Sequence, residues 1–189
     1  IIVEIISVSS KKIDKWKIIL KLEGITNIDN HPCYHLTARS FPNRFLRYLY
    51  DLEYTVHSYL DTQTLYTRRF LKLRRFNKKL NYVQIDFDQD KHKAAYKTWG
   101  TAQKVNISQP RQEMRITPTY DILPGTQDLL SSFFYFRLLN IEPGGSYPVN
   151  IYYDMANWKI IMEVEEPFYR EIRKKALVRS LFFILLFTV

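Results

Sequence analysis

One cysteine, five glycines and no uninterrupted apolar run of membrane-spanning length set the first limits on this 189-residue chain. The lone thiol, Cys33, excludes a disulfide within the chain and says little about redox compartment. No G-x-x-x-x-G-K-[ST] or G-x-G-x-x-G stretch occurs, so the usual phosphate-cradling and dinucleotide-binding loops are missing. No serine sits in a G-x-S-x-G elbow either. The longest apolar stretch, "ALVRSLFFILLFTV" over 176–189, follows Arg173, Lys174 and Lys175 and is broken by Arg179. A spanning helix needs ~20 apolar residues, so this tail reads as a buried strand or a cut-short end, with no transmembrane anchor. The chain opens on Ile1 without a visible signal peptide, which reads as a processed end or a fragment. Repeats and low-complexity tracts are absent.

What is present is aromatic and basic. Fourteen tyrosines and twelve phenylalanines lean the chain toward strands. A length of 189 residues suits a single domain able to bury its own core. Lys and Arg outnumber Asp and Glu by 28 to 19, giving a net charge of +9. Such a surface can attract nucleic acid, anionic membrane or acidic polymers. The charge is scattered, however, and the densest runs are "RRFLKLRRFNKK" (68–79) and "REIRKK" (170–175). The first reads as a solvated strand face. It also supplies the best material for a basic-aromatic platform for nucleic acid, with Tyr66, Phe70 and Phe76 beside Arg68, Arg69 and Arg74.

Alternation predicts strands at 54–60, 82–88 and 94–99, the last two joined by the turn "DQDKHK". A second hairpin is predicted from 149–154 and 158–165 around "MAN", and two further strands at 33–40 and 64–73. Residues 40–52 fit a short helix or a strand equally, and 108–121 reads as a long irregular connection. One helix stands out, "DLLSSFFYFRLL" over 128–139. At about 100° per residue, Leu129, Leu130, Phe133, Phe134, Phe136 and Leu138 share an apolar face, with Asp128, Ser131 and Ser132 opposite. Arg137 falls in the middle of that apolar face. An unpaired buried guanidinium is costly, so the pattern predicts a buried ion pair with Asp61, Asp121 or Asp154. The other readings are an anion site in the concavity of the sheet and a helical phase different from the one assumed. Arg137 and Asp128 are therefore the candidate binding residues, both read first as structural. The fold expected is mainly β, a curved, half-barrel-like antiparallel sheet packed on one helix at about 128–140.

Three constellations carry less. His31, Cys33 and His35 alternate as ligands on a strand would, but no fourth ligand has zinc spacing. Asp86, Asp88 and Asp90 open like a calcium loop, yet Lys91 and Lys97 stand where glycine and a bidentate glutamate belong. Cys33 paired with His57 or His92 would be a nucleophile, but a lone strand cysteine is more often a small core hydrophobe. No metal or cofactor is expected.

Three stretches carry a resemblance: "YTVHSYLDTQTLYTRRF" (54–70), "DLLSSFFYFRLL" (128–139) and "PGGSYPVNIYYD" (143–154). In this order they resemble DUF3108, a bacterial family of domains of unknown function, over roughly residues 20–172. The resemblance implies a curved antiparallel β protein. Relatives carry a signal peptide, which implies a periplasmic or cell-envelope setting. No activity is established for the family, so no catalytic residue is implied. Two departures point to an incomplete member. Residues 1–19 lack the glycine-containing strand pair of relatives, and the chain turns into its apolar tail where relatives add strands. The expectation is a non-enzymatic envelope protein that binds or scaffolds an apolar or amphiphilic component, with the nucleic-acid platform as the alternative.

Overall fold

The computed structural model describes residues 2–6, 16–42, 52–76, 79–100, 115–164, 168–172, 175–179 and 182–188. An eight-stranded antiparallel sheet runs in strict chain order: β1 (Ile2–Ile6), β2 (Trp16–Ile28), β3 (His31–Pro42), β4 (Leu52–Asp61), β5 (Thr67–Phe76), β6 (Lys79–Asp88), β7 (Lys93–Gly100) and β8 (Arg115–Asp121). The sheet does not close into a barrel. Then come α1 (Leu129–Leu138) and a three-stranded sheet in which β10 (Ala156–Val164) pairs with β9 (Ser146–Tyr153) on one side. On its other side β10 pairs with β13 (Phe182–Thr188), and β11 (Phe168–Ile172) pairs with β12 (Lys175–Arg179). In the tail, Phe182–Thr188 is thus strand, antiparallel to β10, and the strand Lys175–Arg179 lies antiparallel to β11. Among the described residues no helix is long and apolar enough to cross a membrane.

Turn chemistry sets the registers. Asp29 and Asn30 both take positive φ between β2 and β3, as do Asp154 and Met155 between β9 and β10. Paired left-handed residues twist a two-residue loop to match the strands it joins. Both hairpins expected from alternation are present, joining β6 to β7 and β9 to β10. The expected irregular segment 108–121 is corrected at its end, because Arg115–Asp121 is strand. Pro118 concealed it. Proline lacks a ladder donor but is tolerated on an edge strand, and β8 is the last strand of the sheet. Residues 43–51, where helix and strand could not be told apart, lie outside the described residues.

One face of the large sheet is the core. Leu20, Leu22, Leu36, Ala38, Val56 and Leu60 pack with Leu130 and Phe134 of α1. Further along, Phe70, Ile85, Phe87 and Ala94 pack with Ile122 and Tyr152. On its other side the helix meets the small sheet, where Phe136 joins Val149, Ile151, Ile160, Met162 and Val164. The opposite face of the large sheet is polar and laced with ion pairs. Glu53 lies between Arg39 and Arg75, and Asp86 between Arg69 and Lys97. Four cations, Arg39, Arg75, Arg69 and Lys97, are held on that face by these two carboxylates.

Candidate functional site

The expected phase of α1 is overturned. Leu130, Ser131, Ser132 and Phe136 are its buried residues, while Leu129, Phe133 and Leu138 are 42%, 47% and 54% exposed. Arg137 is exposed as well, and no ion pair holds it among the described residues. Its guanidinium carbon lies 5.9 Å from the centre of the Phe134 ring. The acids expected to meet it are elsewhere: Asp61 pairs with Arg68, Asp121 with Lys93, and Asp154 forms the β9–β10 turn. The physical reason is that the helix is apolar nearly all round, so periodicity carries no phase. Arg137 occupies the last turn, where a cation complements the helix dipole.

Hydrogen bonding fixes the phase instead. Asp128, 1% exposed, caps α1 and accepts from the N–H groups of Leu130 (2.7 Å) and Ser131 (3.0 Å). Its own N–H donates to Ser131 Oγ at 2.9 Å, closing a capping box. The carboxylate also accepts from Ser58 Oγ of β4 at 2.5 Å. Thr67 Oγ1 of β5 accepts from Asp128 N at 2.9 Å and lies 2.6 Å from Ser131 Oγ. Gln89 reaches across to donate to the carbonyls of Thr67 (2.8 Å) and Thr126 (2.9 Å). Burial pushes the Asp128 carboxyl up from its usual range, against the pull of the Ser58, Ser131 and Leu130 donors. The hydroxyls that looked solvent-facing are thus what bolts the helix to the sheet. The Asp-x-x-Ser spacing of the capping box was the signal available in the sequence. Gly125, in the preceding loop, sits at φ 66°, a left-handed conformation that favours glycine, and a Cβ there would come within 3.1 Å of the Tyr66 ring.

The predicted constellations disperse. Cys33 is fully buried and donates to the His31 carbonyl at 3.4 Å. Burial, with the nearby Asp61 charge, pushes its thiol up to about 11, so it is inert at neutral pH. His31 turns to Asp61 (3.4 Å), and His35 Nε2 lies 2.9 Å from His57 Nδ1, so the three do not converge. His92 lies in the β6–β7 turn at φ 52°. Asp86 is taken by Arg69 and Lys97, and Asp88 by Lys91. Among the described residues no group of three His, Cys, Asp or Glu could hold a metal. The basic-aromatic set is split between faces as well. Phe70 is buried, and Arg68 and Arg69 are ion-paired with Asp61 and Asp86. Arg74 and Phe76 remain together, 5.8 Å from guanidinium carbon to ring centre.

Where the unexpected exposure falls, a groove opens. Leu129 of α1 and Ile151, Tyr153, Trp158 and Ile160 of the small sheet line a cavity of about 280 Å³. Its walls are almost wholly apolar, and Phe133 and Met155 are further large exposed apolar residues on the same two elements. Sequence reasoning missed this groove because it assigned Leu129 and Phe133 to the core. A larger hollow of about 560 Å³, walled by Asp29, Asp86, Asp88, Lys91 and Lys93 among others, is of mixed charge.

An open meander, bolted through a capped helix to a small second sheet and carrying an apolar groove, defines a mainly β protein. The sequence matches the family profile "Protein of unknown function (DUF3108)" over residues 7–168, and the chain belongs to that family. The match begins earlier in the chain than the resemblance alone suggested. No curated protein and no solved structure matches the chain.

Proposed function

We propose that this chain is a non-enzymatic binding protein of the cell envelope that holds an apolar or amphiphilic component in the groove between α1 and the small sheet. The observation that carries this reading is the groove itself, an apolar cavity of about 280 Å³ rimmed by exposed Leu129 and Tyr153. Exposed contiguous apolar surface costs a soluble protein colloidal stability, and it is kept where something binds. The non-enzymatic part rests on the buried hydroxyls. Ser58 and Ser131 touch Asp128, and no imidazole is bonded to either among the described residues. The envelope setting is carried over from the family resemblance.

The test uses the full chain and an apolar naphthylamine fluorophore, with decanol as competitor below its aggregation limit. Saturable binding near one site per chain, displaced by decanol and lost in Leu129→Asp, is the expected result. Binding that is absent, or that is unchanged in Leu129→Asp, overturns the reading.

A further inference from the structure

We infer that the occupant of the groove is a single-chain amphiphile with an anionic head, its head seated on Lys72 and Arg74 and its chain lying along Tyr153 and Trp158. This rests on the binding reading above and adds a ligand class to it. The starting observation is a cation in the wrong place. Lys72 projects from the core-facing side of β5, two residues from buried Phe70, with Val56 and Val83 opposite it on the neighbouring strands. Three other strand lysines hold carboxylates, Lys21 with Glu23, Lys93 with Asp121 and Lys97 with Asp86, while Lys79 and Lys159, both exposed, do not among the described residues. Lys72 has no carboxylate among the described residues.

Its surroundings are aromatic instead. The ammonium lies 5.9 Å from the centre of the Tyr54 ring and 5.9 Å from that of Tyr153. Tyr153 lines the groove, so the charge stands one ring's width from the apolar wall. Arg74, the next residue along that side of β5, adds a second cation, 5.8 Å from the centres of both Tyr54 and Phe76. Half-buried ammonium flanked by rings is partly desolvated, which strengthens its attraction for an incoming anion. Apolar walls with a few convergent polar groups at one end orient a ligand by its head while the walls take its body.

Size and shape narrow the class. A cavity of about 280 Å³ lies at the small end of ligand pockets and suits one chain. Recessed between a helix and a sheet, it suits a monomer better than the surface of a bilayer. Two cations are also too few for a nucleic-acid backbone, whose binding grows with the number of phosphates neutralised.

The experiment compares four ten-carbon competitors in the same fluorophore displacement, all below aggregation: decanoate, decyl phosphate, decanol and decyltrimethylammonium. Decanoate and decyl phosphate should bind about 10-fold more tightly than decanol at low salt, decyltrimethylammonium should bind least, and salt should narrow the gap. Lys72→Gln should bring decanoate down to decanol, and Lys72→Arg should keep most of the preference. Equal affinity for decanoate and decanol, or a preference that survives the Lys72→Gln, Arg74→Gln double variant, overturns the anionic head while leaving the groove reading intact. Failure of all four overturns both. Retention on anionic phospholipid vesicles without binding of any monomer overturns this inference in favour of a membrane surface.

Discussion

Replacing Asp128 by alanine should be among the most damaging single changes available outside the apolar core. Three losses combine. The cap on the first turn of α1 disappears, which in other helices costs ~1 kcal/mol. Ser58 and Thr67, both fully buried, lose an acceptor and have little water to turn to. A buried polar group left without its partner costs ~1–3 kcal/mol. Gln89 and Gln127, whose side-chain oxygen accepts from Thr67 Oγ1 at 3.2 Å, must then settle around a small cavity. A total of about 3–4 kcal/mol follows, large against a typical domain stability of ~5–15 kcal/mol. Asp128→Asn separates geometry from charge. Its amide oxygen still accepts from Leu130 and Ser131, and the Ser58 and Thr67 hydroxyls can rotate to accept from its NH₂. At neutral pH it should therefore lie within about 1 kcal/mol of the parent. The pH dependence sharpens the test. The folded state raises the Asp128 carboxyl above its unfolded value, so the associated stability is complete at low pH and lost as pH rises through the raised value. The parent should lose stability relative to Asp128→Asn as pH rises above the ordinary carboxylate range, where the amide does not titrate. Urea unfolding followed by circular dichroism, with linear extrapolation, reads each value. An alanine variant within 0.5 kcal/mol of the parent, or an asparagine variant as weak as alanine, would refute the reasoning.

Arg137→Ala should change stability by less than about 0.5 kcal/mol in the same urea assay, because the guanidinium is exposed and lies only against Phe134. Tyr152→Phe should be neutral or stabilising by up to ~1 kcal/mol, since the Tyr152 hydroxyl is buried with no partner among the described residues; thermal unfolding would show a clear loss if a hidden bond exists. Asp61→Asn should cost about 3 kcal/mol by stranding Arg68, whose side chain is 13% exposed beside an Asp61 that is 3% exposed. Burial pushes Asp61 up, but the Thr64 and Gln63 N–H groups and Arg68 outweigh it and hold the carboxyl below its usual range. Its contribution is therefore present above the unfolded value and lost as pH falls, and an acid titration in which Asp61→Asn unfolds no differently from the parent would contradict this.

Strand content, both hairpins and the single described helix were legible because alternation and turn residues are local signals. The sidedness of the helix was not. Leu129, Leu130, Phe133, Phe134, Phe136 and Leu138 cover most of its circumference, so the apolar count could not say which of them face the sheet. That choice is made by partners 60 to 70 residues away, Ser58 and Thr67, which single-sequence reasoning cannot place. The same error hid the groove, since Leu129 and Phe133 had been spent on the core. Arg137 and Asp128 were named together as the candidate residues of one helix, but the buried group is the acid and the exposed group is the base. Lys72 was legible only as one impurity in the alternation of β5, and its meaning comes from Tyr153, which the second sheet brings to it.

The most direct test of the central claim is contact quenching by a ten-carbon carboxylic acid brominated along its chain. Bromine quenches an indole only at contact, and Trp158 lines the groove. Of the three tryptophans in the chain, Trp158 should carry the saturable quenching, Trp158→Phe should abolish it, and Leu129→Asp should remove it with Trp158 in place. Quenching that persists undiminished in Trp158→Phe, or its absence in the parent at saturating acid, would contradict the account.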